Sequence, residues 1–229
     1  MNLDLKEAEE LASGIKSGLV KTSHEVVVFP SFVHIPAVSA ILQGCGIKIG
    51  AQNIYPSAKA AFTGEICIDQ LREFAVSHIL VGHSERRQFL NETDASCNEK
   101  VLFCQQQGLT AVYCVGETLQ EREKNITMDV IKRQLADGLK KASADNLVIA
   151  YEPVWAIGTG KVATPEQAQE VHLEIKKELE SIFGKNTIQI LYGGSVKPDN
   201  IKSLMDKPDI DGGLVGGASL KSDSFLGLL

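Results

Sequence analysis

Seven short apolar runs punctuate the chain: 26–30 (VVVFP), 47–53 (IKIGAQN), 78–85 (HILVGHSE), 111–117 (AVYCVGE), 147–153 (LVIAYEP), 188–194 (IQILYGG) and 212–217 (GGLVGG). They are nearly continuous in apolar content rather than alternating, the signature of parallel strands buried on both faces. Helical patterns lie between them. The clearest opens at Thr164 and Gln167, which bracket Pro165 as a capping box. Ala168, Val171, Ile175, Leu179 and Ile182 then form one face, and Gly184 suits the end. Strand–helix alternation without a linker or composition break predicts a single α/β domain over residues 1–229.

Two α/β architectures compete. A doubly wound sheet calls for a G-x-G-x-x-G turn after its first strand, and none occurs here. Polar residues instead collect at the C-terminal ends of several strands: Asn53, His83, Glu117, Glu152 and Ser195. In a (β/α)8 barrel that end is the active face, so the barrel is the expected fold. Its strand count does not close. The chain opens on the helical pattern Leu3, Glu7, Leu11, Ile15, so strand-first alternation places an eighth strand before Met1.

Composition narrows the function. Apolar residues make up 44% and charged residues 23%, as in soluble enzymes. No run approaches the roughly 18 apolar residues of a membrane span, and the acidic, amphipathic N-terminus is no signal peptide. A net charge of −6 argues against a general attraction to nucleic acid or acidic membranes. An anionic ligand must then be held by local devices. Cysteines 45, 67, 97, 104 and 114 form no C-x-x-C, and an odd count without a secretion signal reads as reduced thiols in the cytoplasm. Cys114 reads as a small core residue.

The stretch AYEPVWAIGTGK, residues 150–161, carries the chemistry. Its GTGK is not a phosphate loop, because Val162 follows Lys161 and only Thr159 separates the glycines. A loop of about ten residues, stiff at Pro153 and glycine-rich at its exit, is what a closing lid requires. Glu152, ahead of it, either caps the following turn or serves as a general base whose strength rises when a lid excludes water. His83 precedes SERRQF, a helix start with Ser84 and Glu85 in cap positions. There the helix dipole disfavours an imidazolium, leaving a neutral ring that can hydrogen-bond a carbonyl. His24, His34, His78 and His172 are expected in the core. The glycine pairs of YGGS (192–195) and GLVGGAS (213–219) follow late strands, where backbone N–H groups can approach a phosphate.

AYEPVWAIGTGK, GHSERR, AFTGEI, YGGSV and LVGGASL together closely resemble the triosephosphate isomerase family, and the resemblance runs from Met1 to Leu229. It implies a cofactor-free TIM-barrel isomerase that interconverts dihydroxyacetone phosphate and D-glyceraldehyde 3-phosphate through an enediolate, in glycolysis and gluconeogenesis. Glu152 is then the base, His83 the neutral electrophile, and Glu85 lies beside them. The glutamate, the neutral histidine and the closing loop are the family's familiar catalytic pattern. Gly158, Ser195, Gly216 and Gly217 are expected to hold the substrate phosphate. Residues 52–65 resemble the loop that reaches into the partner subunit of the family's homodimer. The family's first strand carries G-N-W-K-M-N, and Met1–Asn2 resemble its last two residues. The asparagine and the phosphate-pairing lysine upstream are not in this sequence. Residues 1–229 alone are therefore expected to form neither a stable barrel nor a competent isomerase. Two other readings stand beside the leading one: a different sugar-phosphate isomerase on the same barrel, and a non-catalytic remnant that binds partners.

Overall fold

The computed structural model describes residues 2–157, 163–185 and 187–229. It divides into two compact units, Met1–Leu80 with Gly216–Leu229, and Val81–Val215. The first opens with helix α1 (Leu5–Gly18), whose Asp4 and Glu7 exchange backbone hydrogen bonds in a capping box. Such a cap stabilises a helix by about 1 kcal/mol. The buried stripe of α1 is Ala8, Ala12 and Ile15; of the expected line Leu3, Glu7, Leu11 and Ile15, Ile15 lies on it and the other three do not. Strand β1 (Val27–Val28), helix α2 (Ile35–Leu42), strand β2 (Lys48–Ala51) and strand β3 (Val76–Val81) follow. All three strands run parallel, with β2 paired to both β1 and β3.

The second unit holds α3 (Ser84–Phe89), α4 (Asp94–Gln106), β4 (Thr110–Val115), α5 (Leu119–Glu123), α6 (Thr127–Gly138) and β5 (Leu147–Tyr151). It continues through α7 (Pro165–Phe183), β6 (Gln189–Tyr192), α8 (Ile201–Met205) and β7 (Gly212–Gly213). Strands β4 to β7 pair in parallel and in chain order, Val115 lying opposite Tyr151 and Tyr151 opposite Tyr192. Ile149 and Ala150 of β5 are fully buried, as are Ile131 and Leu135 of α6 and Ile175 of α7. Each large aliphatic side chain buried in this way contributes about 1.5–3 kcal/mol. Helix α7 starts at the Thr164–Gln167 capping box with Pro165 in its first turn and ends at left-handed Gly184. Its inner face takes His172 in addition to Ala168, Val171, Ile175 and Leu179, while Ile182 turns outward. The first unit then closes with a short turn at Gly217–Leu220 and helix α9 (Ser222–Leu226).

Among the described residues there are seven strands, each on one of the seven apolar runs, and α1 precedes the first of them. His34, His78 and His172 are buried as expected; His24 instead lies on the surface. All five cysteines are free thiols, and Cys114 is completely buried.

Candidate active site

Glu152 follows β5 directly. Its N–H donates to the Val115 carbonyl at 2.8 Å, so it continues the ladder between β4 and β5. The side chain is 2% exposed and holds two partners. Oε1 lies 2.9 Å from His83 Nε2, and Oε2 accepts the Ser84 N–H at 2.9 Å. Two glycines make room for it. A Cβ on Gly193 would meet Glu152 Cγ at 2.9 Å, and one on Gly116 would run into the Glu152 main-chain carbonyl. Any larger residue at either position would displace the carboxylate.

His83 is itself the N-cap of α3, and Ser84 is the first helical residue, one step away from the expected assignment. Its Nδ1 accepts the Glu85 N–H at 3.4 Å. With Nδ1 an acceptor, the proton of the neutral ring sits on Nε2 and points at Glu152. Burial pulls the His83 pKa down, but the hydrogen bond and charge of Glu152, with help from Glu85, outweigh it and hold the pKa above the ordinary histidine range. That corrects the expectation of a disfavoured imidazolium: with the carboxylate parked against the ring, the protonated form gains. Glu85 is exposed, its carboxylate 3.8 Å from Nδ1.

The preceding strand ends in a second carboxylate, Glu117, which is fully buried. Tyr151 donates its hydroxyl at 3.1 Å, Trp155 its indole N–H at 2.9 Å and Arg122 a guanidinium N–H at 3.2 Å. The Arg122 guanidinium also stacks 5.2 Å above the Trp155 ring. Sequence reading placed Glu117 at a strand end but named none of these partners. Only Arg122 carried a local signal, since the Thr118–Glu121 capping box starts α5 one turn before it.

Of the expected phosphate ligands, Ser195 lies in a turn where its carbonyl accepts from Asn200 Nδ2 at 2.9 Å. Gly216 and Gly217 belong to the first unit, at the start of the Gly217–Leu220 turn, and a Cβ on either would meet nothing within 4 Å. Gly158 and the rest of GTGK lie outside the described residues. Pro153 and the turn Val154–Ala156 open that loop. Among the described residues no group of three or more His, Cys, Asp or Glu side chains could hold a metal ion, and no helix is long and apolar enough to cross a membrane.

A buried glutamate in hydrogen-bond contact with a histidine, both at strand ends, can exchange a proton with a carbon acid and polarise its carbonyl. Comparison with known proteins identifies the family. The family model described as triosephosphate isomerase matches residues 1–229. The triosephosphate isomerase of Leptospira borgpetersenii is 53% identical over all of this chain and 95% of its own length. That of Leptospira biflexa is 54% identical with the same coverage, and that of Endomicrobium trichonymphae 47% identical over all of this chain and 94% of its own. With a family match across its whole length and relatives this similar, the chain belongs to the triosephosphate isomerase family, of the (β/α)8 barrel fold.

Proposed function

We propose that Glu152 and His83 carry out the proton transfers by which this isomerase interconverts dihydroxyacetone phosphate and D-glyceraldehyde 3-phosphate. The observation behind this is the 2.9 Å contact between the Glu152 carboxylate and His83 Nε2, beyond the ends of β5 and β3. Glu152 leaves Ser84 and His83 and takes the proton from the hydroxymethyl carbon of the ketone, forming an enediolate. It returns that proton to the neighbouring carbon to give the aldehyde. His83 donates its Nε2 hydrogen to the carbonyl oxygen and moves a proton between the two oxygens. Once the carboxylate has moved to substrate, the main influence raising the His83 pKa is gone, while burial and the Glu85 N–H on Nδ1 remain. The neutral ring then prevails. Glu85 completes the catalytic group on the Nδ1 side.

In the same reading Gly158, Ser195, Gly216 and Gly217 hold the phosphate through backbone N–H groups, and the segment after Pro153 closes over it. Residues 1–229 act as one domain, as a single family match across them favours. The cytoplasmic enzyme pairs as a homodimer through residues 52–65. In that segment Tyr55 and Phe62 stack at 4.3 Å beside a cleft of about 420 Å³, and Phe62 is 44% exposed. The test of the base is Glu152→Asp, which retracts the carboxylate by one methylene. Misplacement by about 1 Å costs about 10²-fold, so kcat should fall by that order. A variant within threefold of the parent removes Glu152 from the mechanism.

A further inference from the structure

Beyond the end of β4, two carbonyls face β5: Val115 O accepts from Glu152 N at 2.8 Å and Glu117 O from Val154 N at 3.1 Å. Gly116, between them, turns its N–H and C=O to the other side, as successive residues of a parallel ladder do. The partner it finds there is a side chain. Gln134 of α6, itself 5% exposed, accepts the Gly116 N–H on Oε1 at 2.8 Å and donates Nε2–H to the Gly116 carbonyl at 3.1 Å. A carboxamide has the donor and acceptor of a peptide, so it makes both bonds that a neighbouring strand would make. Gly116 is pressed so closely on the Glu152 main chain that no Cβ fits between them. A shift of the Gly116 peptide is therefore transmitted to Glu152.

There is also space for such a shift. A cavity of about 320 Å³ lies here, lined among others by Gly82, Arg87, Cys114, Gly116, Gln134 and Glu152. Hydrogen bonds carry the clamp past it to the histidine. The Gln134 carbonyl accepts from Tyr113 Oη at 2.7 Å, and Arg87 donates to that same hydroxyl at 3.1 Å. Arg87 donates in addition to the carbonyl of Gly82, the residue before His83, at 2.7 Å.

We propose that Gln134 is a positioning residue for Glu152, setting the carboxylate's reach through the Gly116 peptide; the inference rests on the reading of Glu152 as the base. The test measures kcat, KM and thermal unfolding for Gln134→Met, which keeps length but cannot hydrogen-bond, in the parent and in a Glu152→Asp background. In the parent, kcat should fall about 10- to 100-fold with KM within about threefold, as for a displaced catalytic group. In the Glu152→Asp background the same change should cost less than about threefold, because the carboxylate is already out of place and coupled sites do not add. Should Gln134→Met be insoluble, Gln134→Glu takes its place under the same criteria, since it keeps the acceptor for Gly116 N–H and loses the donor to the carbonyl. A parent kcat within threefold alongside a lowered unfolding temperature would reduce Gln134 to a structural role and overturn the proposal. Equal losses in both backgrounds would overturn it too. If Glu152→Asp alone leaves kcat intact, the base reading fails and this inference with it. A large Glu152→Asp loss beside unaffected Gln134 variants sinks only the inference.

Discussion

Glu117 and Glu152 end adjacent strands, are both buried and yet are held in opposite ways. Glu117 receives a tyrosine hydroxyl, an indole N–H and a guanidinium, so its charge is balanced by a cation and its geometry is set by two aromatic rings. Glu152 receives one backbone N–H and one imidazole, and among the described residues no lysine or arginine is paired with it. A buried carboxylate neutralised by arginine and surrounded by rigid donors has little to gain by moving. One held by a single peptide N–H and a histidine can exchange both for a substrate at modest cost. Neighbouring positions on one scaffold thus separate a fixed acid from the proposed base by their donors alone.

The sharpest way to break that comparison is to neutralise each acid in turn. Glu152→Gln should lower kcat by about 10³-fold, within the range of a lost general base, while leaving thermal unfolding nearly unchanged. Steady-state assay and calorimetry on one preparation check both halves. Removing the histidine tests the next step: His83→Gln should cost about 10²-fold in kcat. It should also change the pH dependence of stability. A histidine whose folded pKa is raised adds stability that is full below its unfolded value of about 6.5 and is lost as pH rises through the folded value. The gap in stability between parent and His83→Gln should therefore be wider at pH 5–6 than at pH 9. A constant gap would mean that the Glu152 contact does not favour the imidazolium.

Glu117→Gln should show the reverse pattern. It leaves Arg122 without its anion, but Arg122 is one-quarter exposed and can reach water, so the loss should be about 2 kcal/mol rather than that of a fully buried pair. Denaturant unfolding measures this, with kcat falling less than about 10-fold. A loss of turnover as large as that of Glu152→Gln would erase the distinction. A change confined to acid pH comes from behind Tyr151, whose ring meets His172 edge-on at 5.8 Å. Burial pulls the His172 pKa down to about 4, so between about pH 6.5 and 4 the unfolded chain binds the proton and the folded one does not. Stability should fall as pH falls across that window, by at most about 1.4 kcal/mol per pH unit from this group. His172→Asn should flatten that portion of the profile.

Much of this was legible in the chain. The seven strands, the α7 cap at Thr164–Gln167 and its stop at Gly184 depend on residues no more than a few positions apart, where side chain and backbone meet without help from the fold. Glu152 and His83 were legible as polar residues ending apolar runs. Ile182 and His24 were misplaced because helical spacing and residue type do not report which neighbours cover a face. The sequence puts Ser84 and Glu85 in the cap positions of α3, although the imidazole before them does that work.

Periodicity, capping and punctuation thus determined by themselves which segments become strands and helices and which acids end buried strands, because those preferences are local. Tertiary structure alone decided which donors each of those acids receives. Ser84 and Glu152 are 68 residues apart, Trp155 and Glu117 38, and Gly116 and Gln134 18. Such pairs form only when packing excludes water and leaves each buried polar group to take the one partner within about 3 Å.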